Sequence, residues 1–300
     1  MTALIGAKSE ALVQCVPNFS EGANAYVLSG ITESIVKHHV KLVDWSADID
    51  HNRSVFTFIG LPEHVKSAAL SAATKATELI DIRSHKGVHP RLGAIDVLPF
   101  VPLRNITLEE CALLAHDVGA AIACELNIPV FYYDAASAIG RSLPAVRKGA
   151  FAEFPPDVGP EKIHPTAGAV AIGARGPLIA FNVNLSDGSL ALVKQIASDI
   201  RSNFTGKVRA LGLFLPSRNM YQVSMNVVKP EEVDLFEIVE YIGKRSQILE
   251  SELIGVMPGF NAFASLHSAL KLPALRPEQI LLETWPQNYG AGEEFKGAKI

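Results

Sequence analysis

The chain repeats itself, and that constrains its fold more than any other feature. Asn18-Phe-Ser-Glu-Gly22 returns as Asn184-Leu-Ser-Asp-Gly188, and Pro62-Glu-His-Val65 returns as Pro230-Glu-Glu-Val233, at offsets of 166 and 168. Each match alone is an ordinary turn composition. Two at nearly one offset, with the same β-α-β-β-α periodicity between them, mark a duplicated unit. A unit of that order is the split β-α-β, ferredoxin-like arrangement. Its helices cover one face of its sheet, and the other face needs a cover. The expectation is an α/β (α+β) protein of two ferredoxin-like subdomains whose sheets face each other across a ligand crevice. The subdomains are expected at 1–176 and 177–285, with 286–300 a loose polar tail.

Periodicity fills in the elements. In the first copy, strands are predicted at 11–16, 40–45 and 53–59, with helices at 24–38 and 62–80. The second helix shows an alanine face (Ala68, Ala69, Ala72, Ala73, Ala76), which permits close packing on a sheet. A strand at 93–101, a helix at 107–126 opened by the capping box of Thr107 and Glu110, and a strand at 128–133 extend this copy. The Pro- and Gly-rich passage 135–176 is too long for idle connection and is read as functional. In the second copy, strands are predicted at 178–184, 208–215, 220–228 and 253–257, with helices at 189–203 and 230–246.

The densest chemistry is Arg83-Ser-His-Lys-Gly-Val-His-Pro-Arg91, which interrupts the first copy before a strand. Histidine both takes and returns a proton near neutrality. His85 and His89 have the spacing of a zinc pair on a helix, but Gly87 and Pro90 disfavour that helix, and no metal site is expected. In Asp48-Ile-Asp-His-Asn-Arg53, Arg53 offers a fork for a carboxylate and Asn52 both a donor and an acceptor; the same residues suit a plain hairpin turn. Asn18 and Ser20 lie where a strand enters a helix, a place for a cap or an anion. Gly159 to Gly168 reads either as a linker or as a loop lining the crevice.

Other classes of function are unsupported. A net charge of −4 without a Lys/Arg cluster on any predicted helix gives no nucleic-acid footprint. No apolar run has membrane length, and the N-terminus reads as no secretory signal. Cys15, Cys111 and Cys124 form no CxxC pair, which fits a reducing, cytoplasmic setting with thiols buried in strands and helices. No phosphate-binding glycine loop or nucleophile elbow is present.

The motifs Cys15-Val-Pro-Asn-Phe-Ser-Glu-Gly22, Asn52-Arg-Ser-Val-Phe-Thr-Phe58, His85-Lys-Gly-Val-His-Pro-Arg91 and Asp96-Val-Leu-Pro-Phe-Val-Pro102 follow the order found in the formiminotransferase domain family. Gly159-Pro160, Pro165, Gly168, Ala180-Phe-Asn-Val-Asn184 and Gln222-Val-Ser224 continue the resemblance. It implies two facing α/β subdomains, a folate tunnel and a homodimer, with no cyclodeaminase part. The activity it implies is transfer of a formimino group from formiminoglutamate to N5 of tetrahydrofolate, a co-substrate. The family's catalytic histidine falls on His89 and its folate-binding stretch on Gly159, Pro160, His164, Pro165 and Gly168. Asn18, Ser20, Asn52, Asn182 and Asn184 join these as binding candidates, and Arg53, Lys86 and Arg91 as partners for substrate carboxylates. Animal members carry Glu at Val88 and Asp at Ser46; Asp48 and Asp50 are carboxylates that could take the place of the missing acid beside the base. These departures keep two rivals open: a transferase with another one-carbon or amidine donor, and a non-catalytic folate-binding protein.

Overall fold

The structure, a computed structural model, describes residues 11–87, 91–258 and 279–281. The first unit runs β1 (Leu12–Cys15), β2 (Asn18–Phe19), α1 (Ala25–Val36), β3 (Lys41–Asp48), β4 (Arg53–Gly60), α2 (Pro62–Leu79) and β5 (Ile95–Arg104). β1 and β2 form one interrupted strand between β4 and β5, and β3 lies outside β4. Counting that pair as one strand, the spatial order is fourth, first, third, second. The second unit runs β8 (Ile179–Leu185), α5 (Leu190–Asn203), β9 (Val208–Leu215), β10 (Met220–Val227), α6 (Leu235–Gly243) and β11 (Ile248–Ile254). Its order, β11-β8-β10-β9, is again fourth, first, third, second. Both units are therefore ferredoxin-like, with antiparallel pairing throughout.

The first unit carries an extension: α3 (Leu108–Leu126), β6 (Val130–Asp134), α4 (Leu143–Gly149) and β7 (Val170–Ala174). β7 enters parallel to β5 and β6 and widens the sheet to seven strands. The passage 135–176 is thus not all irregular, since it contains α4 and β7. β7 is buried on both faces, so it shows a short apolar run instead of an alternation. Asp157 fixes the intervening chain by accepting from Tyr132 N at 2.7 Å and pairing with Arg141.

Period two decides what each sheet face does. From β1, β2, β4 and β5, Val13, Cys15, Phe19, Phe56, Phe58, Leu98 and Phe100 point into a core with the alanine face of α2. Burying aromatic side chains of that kind stabilises by roughly 1.5–3 kcal/mol each. The alternate residues Gln14, Asn18, Arg53, Val55, Thr57 and Val97 face the second unit. There Phe181, Val183, Val223 and Met225 pack under α5 and α6, while Asn182, Gln222, Ser224 and Glu252 face back.

Other sequence expectations shift. Pro230 opens only a 3-10 turn, and α6 starts later because the Asp234 carboxylate caps Phe236 N at 2.8 Å. The last strand is displaced: β11 occupies Ile248–Ile254. Cys15 and Cys111 are buried, but Cys124 is exposed on α3. The tail from 286 lies outside the described residues.

Three carboxylates at one sheet edge hold the second unit. Asp44 on β3 accepts from Gly255 N at 3.0 Å, Asp48 pairs with Arg218 at 3.1 Å, and Asp50 accepts from Ser217 N at 3.0 Å and Ser217 Oγ at 2.5 Å. Asp50 and Ser217 stand 167 residues apart. That offset also separates Asn52 (φ 44°) from Asn219 (φ 48°), the left-handed residue ending each hairpin turn. Equivalent turns of the two copies therefore meet tip to tip, as across a pseudo-twofold axis.

Candidate active site

The two inward faces enclose a cavity of about 200 Å³. Strand register divides it into two ends. At the turn end lie Asn18, Asp48, His51, Arg53, Gln222 and Glu252; at the far end lie Thr57, Tyr133, Asp134, Arg175, Arg209 and Gly255. A second hollow, of about 340 Å³, sits between α1 and α2, on the helical side of the first sheet. Its wall of Tyr26, Glu33, Lys37 and Lys75 holds no histidine and is remote from this polar interior.

Three segments converge at the turn end. Asn52 Oδ1 accepts from Gly22 N at 3.0 Å, and its Nδ2 donates to Lys86 O at 2.9 Å. His85 Nε2 donates to Asn52 O at 2.8 Å, which fixes its tautomer because a carbonyl only accepts. The Arg91 guanidinium contacts His85 and reaches His51 O at 3.3 Å. Gly22 and Gly87 permit this approach: a Cβ on Gly22 would lie 2.1 Å from Asp48 O, and one on Gly87 2.4 Å from His51 O. The segment carrying His89 is thus anchored from both sides at one end of the cavity; His89, Val88 and Pro90 lie outside the described residues.

Burial sets the electrostatics. Arg53, bonded to Asn18 Oδ1, is lowered to about 10 by burial, with the charge of Asp96 opposing. Asp96 is 1% exposed, pairs with Arg147, and accepts from Leu92 N at 2.9 Å. Burial depresses His51, against the pull of Asp48, and depresses His85 with help from Arg91. At the far end, burial lowers Arg175 and raises Asp134, with Arg209 and Arg175 opposing the latter. The interior is bipolar: Asp48 and Glu252 mark one end, Arg175 and Arg209 the other.

Residues 12–175 match the profile described as "Formiminotransferase domain, N-terminal subdomain", and residues 180–265 the one described as "Formiminotransferase domain". The chain belongs to the formiminotransferase family. It is 42% identical over 266 residues to the glutamate formimidoyltransferase of Streptococcus pyogenes serotype M1, covering 82% of this chain and 89% of that protein. The protein of the same name from Thermoplasma acidophilum is 40% identical over 268 residues, covering 82% and 88%. The formimidoyltransferase-cyclodeaminase of Rattus norvegicus is 40% identical over 272 residues, covering 82% of this chain but 50% of that protein.

Against this formiminotransferase framework the predicted site residues separate. Asn18, Arg53 and Asn182 line the cavity. Asn52 and Arg91 brace the anchored segment, and the Lys86 side chain is exposed. Ser20, 2% exposed, donates from Oγ to Gly93 O at 2.7 Å, tying the first turn to β5. Asn184 is fully buried and bonded to Gln222 and Glu250. Gly159, Pro160, His164, Pro165 and Gly168 do not line the cavity. Gly159 packs on Ala123 and Ile128, Gly168 on Leu92 and Gly93, and His164 Nδ1 accepts from Ala167 N at 2.9 Å. His51, Gln222 and Glu252 line the cavity and were not among the predicted site residues. The signal for Gln222 was readable, because polar residues alternate with apolar ones in 181–184 and 222–226, whereas Glu252 lies in Glu-Ser-Glu-Leu-Ile, which does not alternate. A face that stays polar where its partner face is core is turned toward water or a ligand.

Proposed function

We propose that the protein is a glutamate formimidoyltransferase of the cytoplasm. It moves the formimino group of N-formimino-L-glutamate to N5 of tetrahydrofolate, giving 5-formiminotetrahydrofolate and L-glutamate. The observation carrying this reading is the near full-length correspondence with proteins of that name, joined to a polar cavity between the two matched units. The family resemblance adds a homodimer, which sedimentation would test.

N5 attacks the amidine carbon, and a tetrahedral centre forms. N5 must shed its proton, and the departing glutamate nitrogen must gain one. His89 is the base that carries that proton between them. Such general acid–base help is worth about 10²–10⁴-fold. Support for the role is positional: the flanks of its segment are braced by Asn52, His85 and Arg91 beside the cavity. Arg53 at the turn end is suited to a donor carboxylate, and Arg175 and Arg209 to carboxylates further along a folate. Holding both reactants in register in one crevice supplies the remaining advantage.

Purified protein mixed with both substrates should release glutamate and 5-formiminotetrahydrofolate in equal amounts, followed by coupled assay and absorbance. A panel of other formyl and amidine donors belongs in the same assay, because Ser46 puts a hydroxyl in the cavity wall. Stronger turnover of another donor would replace the reading. Tetrahydrofolate binding without turnover of any donor would reduce the protein to a folate binder.

A further inference from the structure

The inward face of the second sheet carries a polar ladder. Gln222, Asn184 and Glu250 lie side by side across β10, β8 and β11, and Ser224, Asn182 and Glu252 form the next rung. On the first rung, Asn184 Nδ2 donates to Glu250 Oε1 at 3.2 Å, and Gln222 Nε2 donates to Asn184 Oδ1 at 3.0 Å. A carboxylate only accepts, so Glu250 fixes which way the Asn184 amide points. Asn184 then presents its oxygen to Gln222, which fixes that amide in turn. The Gln222 carbonyl oxygen is left over. Gln222 is 1% exposed, lines the cavity, and its Oε1 has no partner among the described residues. Leaving a buried acceptor unmade is costly, and this one is oriented by a relay that ends on a charged group.

Its surroundings name the missing donor. Glu252 is held by Asn182 Nδ2 at 3.0 Å, and its other oxygen lies 3.8 Å from the Arg218 guanidinium, which also pairs with Asp48 at 3.1 Å. This end of the cavity already collects a planar N–C–N cation. A formamidine on an alkyl nitrogen is strongly basic and is the same kind of cation at neutral pH, a smaller relative of guanidinium.

We propose that Gln222 Oε1 accepts an N–H of the donor's formamidinium, one rung from Glu252, and so selects formimino over formyl donors. A formyl group presents oxygen at that place, and two lone pairs would face each other. Sites built around a specific hydrogen bond reject analogues that lack it far more strongly than apolar pockets do. Asn184 and Glu250 are positioning residues, acting on the donor through Gln222. The assignment rests on the formimino-donor reading above.

Wild-type turnover of formiminoglutamate is measured first, at saturating tetrahydrofolate; failure there falls on the donor reading and takes the subsite with it. Gln222→Met keeps the bulk and removes the acceptor. The expected result is a donor KM raised roughly 10- to 100-fold, as for a hydrogen bond to a charged group, with the tetrahydrofolate KM within about twofold of wild type. N-formyl-L-glutamate, added as a competitive inhibitor, should bind the variant no worse than the wild type. Glu250→Gln leaves Gln222 in place but lets the relay flip, and should raise the donor KM by a smaller factor. An unchanged donor KM in Gln222→Met would overturn the proposal. So would parallel losses for donor, folate and the formyl inhibitor, which mark a structural role.

Discussion

The two copies of the ferredoxin unit share a topology and divide the labour. In the first, the residues after the opening turn exist to be approached: Gly22 lies under Asp48 and Arg53, and Asn52 ties that turn to the segment bearing His89. In the second, the equivalent Gly188 has φ +122°, and a Cβ there would meet nothing nearer than Leu192 Cδ2 at 3.3 Å. The same letter of the repeat is kept for contact in one copy and for backbone conformation in the other. Likewise Asn18 opens into the cavity beside Arg53, whereas Asn184 is sealed into the amide relay. One copy carries an inserted segment with titratable groups; the other keeps a regular sheet with a polar inward face.

The largest expected effect tests that division directly. His89→Ala should lower kcat about 10²–10⁴-fold while the tetrahydrofolate dissociation constant, read by fluorescence or calorimetry, stays close to wild type. A variant that turned over normally would mean the inserted segment is not where the chemistry lies, and the two copies would lose their asymmetry.

The glycine pair comes next. Gly22→Ala drives a methyl into the Asp48 carbonyl and the Arg53 nitrogen, at 2.1 and 2.6 Å, and neither backbone can yield without moving the hairpin. Denaturant unfolding should show a loss of about 3 kcal/mol, at the upper end of overpacking costs. Gly188→Ala meets only a flexible Leu192 methyl at 3.3 Å, so its cost is the left-handed backbone, about 1 kcal/mol. Equal losses would erase the distinction between contact and conformation.

Much of this was legible in the sequence because the repeat carries both pattern and turn chemistry. The ferredoxin order, the alanine face of α2 and the Thr107 capping box follow from local rules that the tertiary structure does not override. β7 was not legible: a five-residue apolar strand buried on both sides has no alternation, and Gly168 and Gly176 around it read as loop. Nor was the role of Asn184, since the sequence offers two similar amides in 180–184 and only the register shows which is sealed and which is open. Ser20 sits at a helix entrance, as an anion ligand would, yet its hydroxyl is used on Gly93 O. Long-range hydrogen bonds of that sort leave no local trace. The 159–168 stretch divided a linker from a cavity wall only by resemblance, and what its backbone touches is the edge near Leu92 and Ile128.

A smaller effect sits on the pseudo-twofold axis. The Asp50–Ser217 hydrogen bond lies at the surface, with Ser217 exposed and Asp50 half-buried, so the pair contributes about 1 kcal/mol at most. A double-mutant cycle of Asp50→Ala and Ser217→Ala should give a coupling of that size, falling with added salt less than the Arg218–Asp48 pair does. A coupling of zero would leave Asp44–Gly255 and Asp48–Arg218 as the ties between the units at this edge.

The smallest effect separates the copies by pH. His51 and His85 are held below their ordinary 6.5 by burial, as is His38. Their unfolded forms take up protons before their folded forms do. The stability they contribute is present above 6.5 and is lost as the pH falls through their depressed folded values. All three belong to the first unit. In the second, the groups with lowered pKa are carboxylates: Asp187 and Asp199, ordinarily near 3.8, and Glu232, ordinarily near 4.5. Their contribution is lost only below those values. Asp134 works the other way, since a carboxyl raised by burial loses stability as pH rises from 3.8, so it softens the acid loss in the first unit without cancelling three histidines. Amide hydrogen exchange between pH 7 and 5 should therefore show protection weakening in β3, β4 and the turn between them while β8 and β10 hold. Uniform loss across both sheets would mean that the contacts from Asp44, Asp48 and Asp50 bind the copies into one cooperative body, and that the division between them is one of chemistry and not of stability.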